Sequence, residues 1–91
     1  MSVTVRIPGP LRQFTGGQGK LDAEAGPLRE ILTALCACHE GLRPRVFDAA
    51  GEVHPVLCVF VDDTDVRGLA GLESQVAAGQ TVSLLLPVAG A

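Results

Sequence analysis

Residues 27–39 have the sequence PLREILTALCACH, which predicts the main helix of the chain. Apolar side chains at Leu28, Ile31 and Leu35 recur at helical spacing and form a single apolar stripe. Pro27 suits the first turn, because its φ is already helical and its missing N–H would have no partner there. A helix with one apolar stripe needs a second layer to cover it, so the rest of the chain must supply that layer.

Segments on both sides of this helix have the patterns of β-strands. Val3, Val5 and Ile7 alternate with polar residues, which predicts a strand with one buried face. Further strands are predicted at 20–25, at 56–61 as a central strand, briefly around Val66, and at 81–88. The order strand, strand, helix, strand, short strand, strand favours an α+β fold.

The same patterns predict the core and the connections. We expect Gly41 to end the helix, residues 42–46 to hold one further turn, and residues 69–76 to form an ordered loop or a single helical turn. The predicted core combines the apolar faces of the first strand, the helix and the last strand: Val3, Val5, Ile7, Leu28, Ile31, Leu32, Leu35, Val82 and Leu84.

Composition limits the function classes. A chain of 91 residues with 47% hydrophobic content predicts one domain over residues 1–91. Seven basic against ten acidic residues, with 3% aromatics, disfavour nucleic acid as a partner. Apolar runs are too short to span a membrane and the first residues do not resemble a secretion signal, so we expect a cytoplasmic protein without a membrane partner. Three cysteines in apolar surroundings are typical of reduced thiols.

The cysteines and histidines predict neither a metal site nor a catalytic one. Cys36 and Cys38 are about 200° apart around a helix, so they cannot share one tetrahedral ion. His39 lies on the side of Cys36, but the sequence supplies no orienting group or oxyanion site for a nucleophilic pair. A small cysteine-dependent redox or metal protein therefore remains a third hypothesis that rests on these residues and Cys58 alone.

Two loop motifs are also better explained by a structural role in the loop than by calcium or phosphate binding. Asp62, Asp63 and Asp65 lack the glycine and the acidic residue that close a calcium loop, which predicts a solvated turn. The glycines of residues 16–19 lack the Lys-Ser/Thr of a phosphate loop and do not lead directly into a helix.

The C-terminal residues Val88, Ala89, Gly90 and Ala91 have small side chains and directly follow the last predicted strand. A slender tail of this kind can enter a narrow channel and present its carboxylate to another protein's active site. The alternative is an ordinary frayed end, as at most termini.

A family resemblance is carried by motifs at residues 5–12, 15–17, 27–32, 59–63, 65–67, 79–83 and 88–90. With these motifs the chain resembles the MoaD/ThiS-type sulfur-carrier proteins, which are small ubiquitin-like β-grasp domains. The resemblance extends over essentially the whole chain, and it is closest to the actinobacterial-type carriers used for molybdopterin, cysteine or secondary-metabolite sulfur supply.

The resemblance implies a mixed sheet packed on one main helix, with residues 87–91 as a flexible tail. It implies a carrier, or the small subunit of a synthase complex, that is not itself an enzyme and binds no cofactor. A ubiquitin-activating-type adenylyltransferase would use ATP and magnesium to adenylate the C-terminal carboxylate. A persulfide or sulfide would then displace AMP, and the resulting thiocarboxylate would pass sulfur to a sulfur-accepting synthase.

One departure from the family concerns the end of the chain. The family ends in Gly-Gly, whereas this chain ends in Gly90-Ala91, so the carboxylate to be activated belongs to Ala91. Three explanations stay open: a partner with a roomier channel, a diverged binding or regulatory subunit that has lost the chemistry, or an altered terminus in this chain.

A docking surface is also expected near the tail. Alternation in residues 81–86 leaves Leu85 toward solvent if Val82 and Leu84 are core. Resemblance to ubiquitin-like folds suggests that Val59 and Val61 lie beside Leu85 and form an apolar patch leading to Val88 and Ala89. In the alternative, residues 42–53 cover these side chains.

Overall fold

The computed structural model describes residues 2–55 and 57–86. Within them, strands form one sheet of five and one of two. The strands are β1 Ser2–Arg6, β2 Lys20–Glu24, β3 Gly26–Pro27, β4 Cys58–Val61, β5 Thr64–Asp65, β6 Gln75–Val76 and β7 Thr81–Leu85. The helices are α1 Leu28–Cys38 and the single turn α2 Arg43–Val46, with 3-10 turns at Gly9–Phe14, Glu40–Leu42, Val66–Gly68 and Gly71–Glu73.

The large sheet has the strand order β2-β1-β7-β4-β5 and is mixed. Strand β1 pairs parallel with β7, while the pairs β1–β2, β7–β4 and β4–β5 are antiparallel. Helix α1 packs its apolar stripe on one face of this sheet. The predicted α+β architecture, a mixed sheet on one main helix, is confirmed.

The core lies between α1 and the sheet, and all nine predicted core residues are buried there. Leu42 and Val46 join them from the turns that follow α1, so the turn predicted at residues 42–46 also contributes to the core. No helix in the described ranges is long and apolar enough to cross a membrane.

The prediction that Gly41 ends the main helix is wrong. Helix α1 ends at Cys38, and Gly41 lies inside the following 3-10 turn with a φ outside the left-handed region. A Cβ atom at Gly41 would lie 2.6 Å from Cδ1 of Phe14, which is closer than real atoms approach. The glycine is therefore required for the close packing of Phe14.

Residues 69–76 are more ordered than the sequence indicated. They contain the 3-10 turn Gly71–Glu73 and strand β6, which pairs antiparallel with β3 just before α1. The Leu28 N–H donates to the Ser74 carbonyl at 2.8 Å, so this segment accepts a hydrogen bond from the first turn of the helix. The chain after β5 is thereby fixed to the start of α1.

Asp62 is not simply solvated, as the predicted turn would require. Its Oδ1 accepts from the Thr81 N–H at 3.0 Å, and its Oδ2 accepts from Gln80 Nε2 at 3.0 Å. The Asp62 N–H donates in turn to the Thr81 carbonyl at 2.8 Å. These bonds connect the end of β4 to the start of β7.

Candidate functional site

In strand β7, one large apolar side chain faces solvent, that of Leu85. Val82 and Leu84 are buried in the core, whereas 48% of the Leu85 surface is exposed. The predicted orientation of Leu85 is confirmed, and the alternative that residues 42–53 cover it is wrong. Leu86, the last described residue, is half-buried and packs against the core.

The prediction that Val59 and Val61 lie beside Leu85 is wrong. In the β4–β7 ladder Val59 pairs with Leu84 and Val61 pairs with Val82, so these side chains share the core face of the sheet. They are only 2% and 5% exposed. A partner protein that reaches Leu85 therefore meets other side chains of β4.

Cys58 and Phe60 are the β4 residues that share the face of Leu85. Cys58 pairs with Leu85 itself, and Phe60 pairs with Ser83 two residues earlier in β7. Both are partly exposed. We call the outer patch the surface formed by Cys58, Phe60, Ser83 and Leu85.

Arginines border the outer patch. Arg6 of β1 is exposed and pairs with Ser83, while Arg12 donates from Nε to the Ile7 carbonyl at 3.1 Å. Both line a groove of about 370 Å³ together with Phe60 and Leu85, and Asp62 and Asp63 line the same groove. An apolar centre with a border of both charges suits a protein surface that presents apolar side chains and polar groups of either sign.

A further arginine lies at the Cys58 end of the patch. Arg67 Nη2 donates to Asp65 Oδ2 at 2.8 Å and lies 4.0 Å from the Cys58 sulfur. The side-chain hydrogen bond from Arg67 lowers the pKa of the Asp65 carboxyl, and the same bond raises the pKa of Arg67. The pair is exposed to solvent, so it orients Arg67 more than it stabilises the fold.

The cysteines of α1 face different surroundings, as the helical spacing predicted. Cys36 is fully buried and Cys38 is exposed. Burial raises the pKa of the Cys36 thiol, opposed by the charge of Arg43. Within residues 2–55 and 57–86, no cluster of three His, Cys, Asp or Glu side chains could hold a metal ion.

The remaining predicted site residues, Val88, Ala89, Gly90 and Ala91, lie outside the described residues. Sequence reasoning did not include Cys58, Phe60, Arg6 or Arg67 in the docking surface. Strand β4 is apolar on both sides, so its pattern could not assign Cys58 and Phe60 to the exposed face. The arginines carry no signal either, since an exposed arginine is common on any surface.

Comparison with known proteins gives consistent results. A sequence model of the ThiS family matches residues 5–90. The sulfur carrier protein CysO of Mycobacterium tuberculosis is 38% identical over 92 residues, which cover 99% of both chains. The similarity therefore extends over nearly the full length of both chains.

Solved structures agree with the sequence comparisons. A chain in the crystal structure of the Amycolatopsis orientalis BexX/CysO complex matches with a TM-score of 0.90 at 37% identity, covering 98% of this chain and 99% of that one. The crystal structure of M. tuberculosis CysO matches with a TM-score of 0.87 at 36% identity, covering 94% and 99%. These neighbours confirm the ubiquitin-like β-grasp fold.

Proposed function

The chain belongs to the ThiS family, and from that premise we propose that it is a sulfur carrier whose C-terminal carboxylate becomes a thiocarboxylate. The observation that carries the proposal is the similarity to CysO over the full length of both chains. We assign the sulfur it carries to cysteine biosynthesis, because its relatives bear the name CysO. The protein acts as a carrier and the chemistry is performed by its partners.

The carrier needs activation because a carboxylate is a poor acyl donor. In the proposed sequence, a carboxylate oxygen of Ala91 attacks the α-phosphorus of ATP and pyrophosphate leaves. A sulfide sulfur then attacks the acyl carbon of the adenylate, and AMP leaves with the bonding electron pair, which gives the thiocarboxylate. If a persulfide attacks instead, the product is an acyl disulfide, and a thiol must attack its outer sulfur to form a disulfide and release the thiocarboxylate. ATP and magnesium belong to the activating enzyme, a ubiquitin-activating-type adenylyltransferase. The thiocarboxylate sulfur passes afterwards to a sulfur-accepting synthase.

We propose the outer patch as the surface that docks on these partners, with Val88 and Ala89 leading the chain from it into the partner's active site. The exposure of Leu85 at the end of β7 supports this assignment, since the chain continues from this strand to the terminus. That a matching chain occurs in a BexX/CysO complex supports docking on a protein partner. We place these reactions in the cytoplasm, where the free cysteines stay reduced.

The second candidate function is a binding or regulatory subunit without sulfur chemistry. It is favoured by the Gly90-Ala91 end. The terminal glycine of the family has only a hydrogen atom as its side chain, whereas the methyl group of Ala91 has to fit into the same place in the activating enzyme. Both candidates share the fold and the outer patch, so only the chemistry at the terminus separates them.

Intact-mass spectrometry tests the two candidates. The full chain is incubated with ATP, magnesium, sulfide and the cognate activating enzyme, whose activity is verified by pyrophosphate release with a Gly-Gly-ending carrier. Replacement of one carboxylate oxygen by sulfur adds about 16 Da, which is the expected result for the proposed acyl transfer. The Ala91→Gly variant is run in parallel.

Each outcome is decisive. A mass gain in the parent chain supports sulfur carriage with the Gly-Ala end. A gain in Ala91→Gly alone shows that the methyl group blocks activation, and an unchanged mass in both chains overturns the carrier proposal in favour of the binding subunit.

A further inference from the structure

Strand β2 is a sheet edge with unpaired main-chain groups. It has five residues, and among the residues that the structure describes it pairs on one side only, with β1. The Ile7 N–H donates to the Gly19 carbonyl, so these two residues form a hydrogen-bonded pair of the antiparallel ladder. Because such pairs alternate, the main-chain N–H and C=O groups of Leu21 and Ala23 also point toward β1. The N–H and C=O groups of Asp22 and Glu24 then point away from the sheet, and no hydrogen bond within the described part of the chain satisfies them.

An apolar groove runs beside this edge, between β2 and α1. Its volume is about 420 Å³. Leu21 and Ala23 form one wall, while Ile31 and Ala34 of the helix form the other. Side chains entering from an added strand would therefore contact apolar surface on both sides.

The border of the groove is acidic. Asp22 and Glu24 line it from the strand, Glu30 lines it from the helix, and all three are exposed. Among the described residues that line it, none is a lysine or an arginine. The groove beside Leu85 is lined by arginines as well as aspartates, so the two surfaces differ in charge.

We propose that the β2 edge and the adjoining flank of α1 form a second docking site, which accepts an extended basic segment of a partner protein as an added strand. Main-chain groups of the segment would pair with Asp22 and Glu24. Every second side chain would be apolar and enter the groove, and the others would be basic and lie opposite the Asp22 and Glu24 carboxylates.

A second copy of this chain is the competing occupant of the edge. Two β2 edges paired antiparallel about Asp22 would place the two Asp22 carboxylates opposite each other, which is unfavourable, but would place Lys20 opposite Glu24 on either side, which is favourable. Sedimentation of the chain alone distinguishes a second copy from a basic segment. The site also goes beyond the proposed sulfur chemistry, because β1 separates β2 from β7. A partner can therefore occupy the β2 edge while Leu85 is docked elsewhere.

A synthetic peptide tests the proposal. The isotope-labelled full chain is titrated with a ten-residue peptide in which lysine and valine alternate, and amide shifts and hydrogen exchange are followed by NMR. We expect saturable shifts confined to β2 and the Ala34 side of α1, with exchange of the Asp22 and Glu24 amides slowed about tenfold or more. Shifts centred on another surface would overturn the proposal.

Two matched pairs of variants test the groove and its charge. Ala34→Lys should block binding, whereas Ala37→Lys, at another exposed alanine of α1 that does not line the groove, should leave it intact. The pair Asp22→Asn with Glu24→Gln should weaken binding about fivefold to tenfold, as loss of two cross-strand charge pairs implies. Asp63→Asn with Glu40→Gln changes the net charge equally and should have little effect.

Other occupants give distinct results. If a peptide of alternating lysine and proline binds as tightly, charge alone explains the binding, because proline cannot donate to the ladder. If sedimentation shows that the chain alone forms dimers that Ala34→Lys disrupts, the occupant is a second copy. Equal binding of a glutamate-valine peptide contradicts the acidic border. Each of these results overturns the proposal, and none of them bears on thiocarboxylate formation.

Discussion

Leu85 and Leu69 are leucines of nearly equal exposure, 48% and 50%, in different surroundings. Leu85 lies in the outer patch at the end of β7, whereas Leu69 lies in a turn between two 3-10 helices. Leu85→Glu should weaken binding to the activating enzyme at least about tenfold, because it puts a charge at the centre of an apolar contact. Thermal stability should change by only a few degrees, since the side chain is already solvated.

Leu69→Glu is the matched control and should leave both binding and stability nearly unchanged. Surface plasmon resonance and thermal denaturation measure the two quantities. A large loss of stability in Leu85→Glu would show that Leu85 belongs to the core, and an equal loss of binding in both variants would remove the outer patch as the docking surface.

Individual residues also show where sequence reasoning reaches its limit. The orientation of Leu85 was predictable because β7 alternates between polar and apolar residues around Val82 and Leu84. Strand β4 is apolar on both sides, so its pattern does not indicate which side faces α1. Only the register, in which Val59 pairs with Leu84, decides that Phe60 and not Val59 lies near Leu85.

At the scale of elements, Asp62 holds the β4–β5 turn against β7. It has a φ of 54°, a left-handed conformation, and its carboxylate accepts from Thr81 and Gln80. Asp62→Ala should cost about 2–3 kcal/mol, because it removes both hydrogen bonds and places alanine in an unfavourable conformation. Asp62→Gly should cost about 1 kcal/mol less, since glycine adopts this φ freely.

Urea denaturation measures these differences in the free energy of unfolding. Asp63→Ala, at the neighbouring exposed position without a side-chain hydrogen bond, is the control and should change stability little. If Asp62→Gly lowers the free energy of unfolding as much as Asp62→Ala does, the left-handed backbone conformation does not contribute to the cost of the alanine substitution.

Gly41 holds the 3-10 turn Glu40–Leu42 close to Phe14. The Arg45 guanidinium lies 4.1 Å from the centroid of the Phe14 ring, so a shift of the ring would disturb this cation–π contact. Gly41→Ala should therefore destabilise the protein by about 1–2 kcal/mol, the cost of overpacking, although alanine restricts the unfolded chain more than glycine does.

Gly68→Ala is the comparison for Gly41. Its Cβ would meet open space and its φ is outside the left-handed region, so the substitution should be neutral or slightly stabilising by thermal denaturation. A neutral Gly41→Ala would mean that the Phe14 ring shifts at no cost.

The strands that the sequence missed are the ones whose pairing is not local. Strand β3 has two residues, Gly26–Pro27, and pairs with Gln75–Val76 far along the chain. A pair this short has no alternation to detect, and its formation depends on the fold that brings the segments together. The helix and the longer strands were predictable because each carries its own period of apolar residues.

At the scale of the whole molecule, the two proposed surfaces differ in charge although the net charge is only −3. Among the described residues, the groove beside β2 is lined by carboxylates without lysine or arginine, whereas arginines and carboxylates both line the groove beside Leu85. A basic segment is therefore favoured at the β2 edge over the outer patch. The total composition disfavours nucleic acid as a partner but does not reveal this difference, which depends on the fold.

Stability of the whole molecule should fall at alkaline pH because of Cys36. Burial raises the pKa of its thiol above the ordinary value of about 8.5, so the unfolded chain loses this proton at lower pH than the folded one. The stabilisation is complete below the unfolded pKa and is lost as pH rises through the folded pKa, with a slope of up to about 1.4 kcal/mol per pH unit between them.

Urea denaturation of the parent chain and of Cys36→Ala, from pH 7 to pH 10.5, measures this effect. The variant should cost about 1 kcal/mol at pH 7, because a fully buried side chain becomes smaller, but its stability should fall less steeply above pH 8.5. Cys38→Ala, at the exposed cysteine of the same helix, should keep the pH dependence of the parent. All other titrating groups are common to the parent and Cys36→Ala and cancel between these two chains, so parallel curves for them would show that the buried thiol has no part in the alkaline loss.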